Sequence, residues 1–190
     1  MQNIRIGFAL TGSFCTFSKV LPIVEGLVQA GADVTPIVSP SVAATDSRFG
    51  KAEFFWRELQ RMTGKEPLAT LAQVEPIGPK KLLDLMIVAP CTGNTLAKLA
   101  LGIADTPVTL ACKSHLRNGR PLLLAPSTND GLGNAAKNIG MLLNAKHVYF
   151  VPFGQDDPQR KPNSLVADMA QLPQAVAAAL AGRQVQPLLL

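Results

Sequence analysis

The chain has 190 residues, enough for one domain with a sizeable core. Hydrophobic residues make up 47% and charged residues 16%, yet no apolar run reaches the roughly 18 residues of a membrane span, so no transmembrane helix is expected. The net charge of +5 is spread thinly along a chain with one Trp and one Tyr, which argues against a nucleic-acid surface and leaves an anionic small molecule, or plain solubility, as its meaning.

Residues 4–10 read as a first strand. A Thr11-Gly12-Ser13 turn follows, then a helical stripe through Val20, Val24, Leu27 and Val28. Gly31 fits that helix's C-terminus, and residues 34–38 form the next strand, completing a βαβ unit. Ser39-Pro40-Ser41 ends the strand, and a polar loop at 46–50 precedes a helix over 52–62 closed by Thr63-Gly64. Residues 69–79 suggest a short helix and a short strand near 74–77. Residues 85–89 are a continuous apolar run, as in a parallel strand covered on both faces, and Pro90 is expected to stop it. Thr92, Gly93 and Asn94 supply turn and cap chemistry before a helical stripe at Leu96, Leu99, Ala100 and Ile103.

Residues 106–116 fit a helix, with Pro107 near its start and Lys113 and Arg117 near its end. Residues 121–125 form another buried strand ending in Pro126-Ser127-Thr128-Asn129, followed by a helix over 132–143 and a strand over 148–152. The stretch 153–163 is a polar loop without a period. Ser164 is expected to cap a helix carrying Leu165, Met169 and Leu172, with Pro173 beginning or kinking a further segment to 181. These elements predict an α/β fold, a three-layer Rossmann-like (flavodoxin-like) parallel sheet with helices on both faces. A single domain over 1–190 is expected, with a C-terminal helical segment at about 164–181.

Three polar loops each follow an apolar strand, at 11–13, 89–98 and 125–129. Such loops lie at the carboxyl edge of a parallel sheet, where free N–H groups and a helix dipole favour a bound anion; an ordinary βα turn is the plain alternative. The first turn lacks G-x-G-x-x-G, so no dinucleotide fingerprint is present; a small hydroxyl and backbone cradle suits one phosphate instead. Cys15, Cys91 and Cys112 lack C-x-x-C spacing, and His115 and His147 stand far apart, so neither a disulfide framework nor a metal site is indicated. The N-terminus runs straight into a strand without the regions of a signal peptide, so a cytoplasmic protein is expected. The high apolar fraction fits surface buried between protomers, as in a homo-oligomer, which composition alone does not establish.

The three loops in this order, with A-P-C-T-G-N-T-L-A-K-L-A-L-G-I-A-D at 89–105, resemble the homo-oligomeric FMN-containing cysteine decarboxylases and flavin prenyltransferases. More closely, I-G-F-A-L-T-G-S at 6–13, T-D-S-R-F-G at 45–50, S-T-N-D at 127–130 and V-P-F-G-Q-D-D-P-Q-R-K-P-N-S at 151–164 resemble the family of dipicolinate synthase B subunits of endospore-forming bacteria. That resemblance implies a partner, the A subunit of dipicolinate synthase, which is dehydrogenase-like and carries the NADP. It also implies joint oxidation of dihydrodipicolinate to dipicolinate in the mother cell during sporulation, and FMN on this chain. Other readings are an FMN-dependent decarboxylase or prenyltransferase relative acting alone, or a non-catalytic scaffold for the A subunit.

Carried over residue by residue, the resemblance implies that Thr11, Gly12 and Ser13 meet the flavin phosphate or ribityl chain, and that Ser39 and Ser41 add hydroxyls on the phosphate side. Pro90, Thr92, Asn94 and Thr95 would bind at the helix N-terminus. Ser127, Thr128 and Asn129 would form the other wall, from this chain or a neighbouring protomer. Asn94 is the candidate catalytic residue. The departures count against decarboxylation: residues 77–83 hold no His, Thr128 stands where the family's later motif has Met, and the cysteine that follows that motif is missing. Cys15 and Cys91 sit where a helix N-terminus would activate a thiol, or are small packing residues. Lys80, Lys81, Arg48 and Lys98 are candidates for a dicarboxylate, against a solvated surface. The 155–163 loop is expected to serve contact between protomers or with a partner rather than catalysis.

Overall fold

The computed structural model describes residues 1–190. Five parallel strands form its centre: β1 (Arg5–Leu10), β2 (Asp33–Val38), β3 (Leu85–Cys91), β4 (Leu122–Thr128) and β5 (Val148–Phe150). Their order is β2-β1-β3-β4-β5. The chain runs one way from β1 to β2 and the other way from β3 onward, so a crevice opens at the carboxyl ends of β1 and β3. β3 is buried along its whole length, which is why it reads as an uninterrupted apolar run.

Two short strands extend the sheet in the antiparallel sense, β6 (Phe153–Gly154) and β7 (Leu165–Ala167). One edge of β4 thus serves two partners. Leu122 to Leu124 pair with β5, and Ser127 and Thr128 pair with Val166 and Leu165 of β7. This second pairing sets the end of β4 beside the 155–163 loop.

Helices α1 (Phe17–Gln29) and α8 (Leu172–Leu180) pack on each other and on β3, and α3 (Ala52–Thr63) packs on α1 and β2. Phe17 and Phe55 lock α1 to α3, edge to face at 4.8 Å between ring centres. Right-handed crossovers place α6 (Pro107–Leu116) on the opposite face, over β3 and β4, with α4 (Leu71–Val74) and α5 (Gly93–Ala100) packed on it and α7 (Asn134–Leu143) packed on α5 and β5. The buried apolar residues form one contiguous cluster reaching from Ile6 to Val185, which makes the chain a single α/β unit.

Several local expectations are corrected. Pro90 does not stop the central strand, which continues to Cys91 through a register shift against β4; a ladder already irregular there has no need of the missing N–H. Residues 74–77 are not a strand. Thr70 and Gln73 form a capping box that starts α4, Pro76 cannot donate to a ladder, and a 3-10 turn (Glu75–Ile77) follows. Ser164 caps no helix: residues 165–167 alternate buried and half-buried as β7, so the C-terminal helical segment begins with the turn Met169–Gln171, which Asp168 caps through the Ala170 N–H. Pro173 then lies in the first turn of α8. Ser39 opens a short helix that the sequence pattern does not announce, α2 (Pro40–Ala44). α5 ends at Ala100, leaving Ile103 exposed beyond the helix, and Gly102 takes the left-handed backbone that closes it (φ 71°).

Candidate functional site

The carboxyl ends of β1, β3 and β4 are tied together by side chains. The Thr11 hydroxyl, buried just after β1, donates to the Pro90 carbonyl at 2.7 Å and accepts the Thr92 N–H at 3.0 Å. Ser13 and Ser127 share a hydrogen bond at 2.7 Å between their hydroxyls, joining the first loop to the end of β4. Thr92 is the N-cap of α5: its hydroxyl accepts the Thr95 N–H and lies 3.1 Å from the Thr95 hydroxyl. Ser39 caps α2 by accepting the Val42 N–H, and its hydroxyl is 2.9 Å from that of Ser41.

Two adjoining pockets occupy this edge, with Gly12 and Thr92 on the wall between them. The smaller, about 270 Å³, is lined by Thr11, Gly12, Ser39, Ser41, Thr92, Asn94 and Thr95, together with Pro40, Lys98 and Thr106. It lies at the N-terminus of α5, where unpaired N–H groups and the helix dipole present partial positive charge. Its only full cation is spoken for: Lys98 donates to both Asp105 oxygens at 2.8 Å, a bond that holds the Asp105 carboxyl below the usual carboxylate range. An anion there meets hydroxyls and amides rather than a free ammonium. A Cβ on Gly12 would stand 3.0 Å from the Ser41 hydroxyl, so glycine keeps this wall open.

The larger pocket, about 700 Å³, takes Ser13, Ser127, Thr128 and Asn129 from the expected set. Within one chain, these three far-wall residues line the same pocket as Ser13 of the first loop. Pro90 lines neither pocket; it is buried and contributes its carbonyl to Thr11. Cys91 is also buried, and burial pushes its thiol well above the usual range, so it is a packing residue; Cys112 behaves alike. Cys15 is exposed on the cavity wall, 3.8 Å from the Ser13 hydroxyl. Lys80 and Lys81 lie before the amino end of β3, at the opposite edge of the sheet, and line neither pocket.

Sequence reasoning passes over several lining residues: Phe14, Thr16, Lys19, Ser47, Phe49, Gly93, Asp156, Lys161 and Val166. Arg48, already named from the sequence as a dicarboxylate candidate, lines the same pocket, stacked over Phe49 with its guanidinium carbon 4.8 Å from the ring centre. Asp156 and Lys161 bring the 155–163 loop to this pocket, because β7 folds that loop back over the end of β4. The one available signal is its high density of polar residues after a strand. No histidine lines either pocket; His115 is buried in α6 with Nε2 3.0 Å from the Pro121 carbonyl, at the other edge of the sheet.

Comparison with known proteins matches this architecture. Residues 1–176 match the flavoprotein family. The B subunit of dipicolinate synthase from Bacillus subtilis (strain 168) is 47% identical over 189 residues, covering 100% of this chain and 94% of that protein. The crystal structure of the dipicolinate synthase B subunit from Bacillus halodurans C superposes with a TM-score of 0.91 at 46% identity, covering 100% of this chain and 98% of that one. The cypemycin decarboxylase CypD shares the fold at 23% identity, with a TM-score of 0.70 over 95% of this chain and 94% of that one. The chain belongs to the flavoprotein family, in the group of dipicolinate synthase B subunits.

Proposed function

We propose that this chain is the flavin-holding component of a dipicolinate synthase, acting with a dehydrogenase-like A subunit that carries the NADP to oxidise dihydrodipicolinate to dipicolinate. The observation that carries this reading is the smaller pocket: hydroxyls of Ser39, Ser41, Thr92 and Thr95 and the N-terminus of α5 line one cavity suited to a phosphate monoester, with Thr11 bracing its wall. The donor set suits FMN, whose phosphate needs N–H and O–H donors and whose ring needs an adjoining cavity. FMN, when bound, supplies a redox centre for hydride or electron transfer.

In this reading Ser39, Ser41, Thr92 and Thr95 bind the phosphate, Gly12 lets the backbone approach it, and Asn94, exposed in the first turn of α5, orients the bound molecule through its amide. Ser13, Ser127, Thr128 and Asn129 face the ring side, where the Ser13–Ser127 bond fixes the spacing of the two walls. The absence of a dinucleotide fingerprint in the first turn supports placing NADP on the A subunit.

Titration of the purified protein with FMN tests this. Quenched flavin fluorescence and a perturbed visible band, both weakened by Asn94→Ala with the fold intact by circular dichroism, are the expected result. No perturbation under excess FMN would refute a flavin role. Recombined with the A subunit, Asn94→Ala loses synthase activity if this chain holds the redox site and retains it if the chain is only a scaffold. Turnover of a cysteinyl substrate by this chain alone would favour the decarboxylase reading instead.

A further inference from the structure

The larger pocket carries charge that the flavin reading leaves unused. Among its lining residues are three cations, Lys19, Arg48 and Lys161, and one carboxylate, Asp156. They come from separate segments: the first turn of α1, the 45–50 loop and the 155–163 loop. Lys161 lies 3.2 Å from Asp156, whereas neither Lys19 nor Arg48 has a carboxylate partner. The cavity is therefore left with two uncompensated positive charges. Phe14, Phe49 and Val166 add apolar and aromatic surface to the same walls.

We propose that this cavity binds a planar aromatic dicarboxylate, with Lys19 and Arg48 as the groups that recognise its two carboxylates and the phenyl rings flanking its ring. Two excess cations match two carboxylates, and a guanidinium already stacked on Phe49 is held by its plane while its N–H edge stays free to pair with an oxygen anion. The Lys161–Asp156 pair completes the rim: the carboxylate neutralises the third cation, so the site favours a double rather than a triple anion. This assignment rests on the dipicolinate synthase reading for its choice of ligand, pyridine-2,6-dicarboxylate, but not on the flavin.

Isothermal titration of the full-length protein with pyridine-2,6-dicarboxylate, benzene-1,3-dicarboxylate and pyridine-2-carboxylate, each with and without FMN, tests it. Both dicarboxylates should bind saturably, the monocarboxylate at least about tenfold more weakly, and rising salt should weaken both. Arg48→Gln and Lys19→Gln, which keep bulk and polarity at exposed positions, should each weaken the dicarboxylates about tenfold or more and leave FMN affinity within about threefold. Equal binding of mono- and dicarboxylate, no binding at millimolar ligand with or without FMN, or unchanged affinity in both variants would overturn the assignment. Dicarboxylate binding without any FMN binding would sink the flavin reading and leave this one standing; FMN binding with no dicarboxylate binding would do the reverse.

Discussion

Replacing Thr11 by Val keeps the side-chain shape and removes one hydroxyl that joins two loops. In the folded protein that hydroxyl donates to the Pro90 carbonyl and accepts the Thr92 N–H, and Thr11 itself is 1% exposed. Valine leaves a buried carbonyl and a part-buried N–H without their partner. At about 1–2 kcal/mol for each group left unsatisfied, the variant should lose about 2–4 kcal/mol of stability. For a domain of this size, each kcal/mol moves the melting temperature by about 2–4 °C, so a fall of about 4–16 °C is expected by calorimetry. Because the Thr92 N–H also begins the turn into α5, the smaller pocket should loosen and FMN affinity should fall about tenfold or more. Thr11→Ser keeps the hydroxyl and should recover most of both losses. A Thr11→Val protein that melts and binds flavin like the parent would refute the view that this hydroxyl sets the distance between the loops.

Two further substitutions probe the site wall and the core. Gly93→Ala should gain about 1 kcal/mol from helix propensity if the site were open. A Cβ there would instead meet the Thr128 hydroxyl at 2.7 Å and the Asp130 carboxylate at 3.0 Å, so a net loss of stability and flavin affinity is expected. Adding Thr128→Ala should restore part of both, and a Gly93→Ala protein more stable than the parent would contradict the packing. His115 is held neutral, its pKa pushed down to about 4 by burial against the opposing pull of the Pro121 carbonyl. Below pH 6.5 the unfolded chain takes up a proton that the folded chain refuses, so this group's contribution falls as pH drops from 6.5 to about 4 and levels off beneath. The loss amounts to about 3 kcal/mol at 1.36 kcal/mol for each pH unit. His115→Gln, which can still donate to Pro121, should flatten that part of the stability–pH curve, and an unchanged slope would count against it.

What the sequence discloses and what it withholds divide along sequence distance. The strand, loop and helix at 85–100 are legible because an apolar run, a capping threonine and a helical stripe are local features, and Thr92 does cap α5. Ser39 and Ser41 are named through the family resemblance rather than by local pattern, since the helix they open is too short to show a stripe. β7 reads as the start of a helix because its three residues are too few to separate the two periods; its identity is settled by pairing with β4, across the whole of α7 and β5. That one pairing also sets the course of the 155–163 loop. Once residues 165–167 join the sheet, residues 155–163 must return across the carboxyl end of β4, and Lys161 arrives at the cavity that Arg48 reaches from the other side. The bridges that build the site span still longer separations, 79 residues from Thr11 to Pro90 and 114 from Ser13 to Ser127. No periodicity encodes such contacts, because each hydroxyl alone reads as a turn or cap residue. Charge shows the same limit: of the candidate cations named from the sequence, Arg48 lines the larger cavity while Lys80 and Lys81 lie at the opposite edge, and Lys19 and Lys161, unremarkable in sequence, reach the cavity beside Arg48. Residue type and local pattern therefore identify which edge of the sheet can bind an anion, and only the closing of the sheet decides which charges reach it.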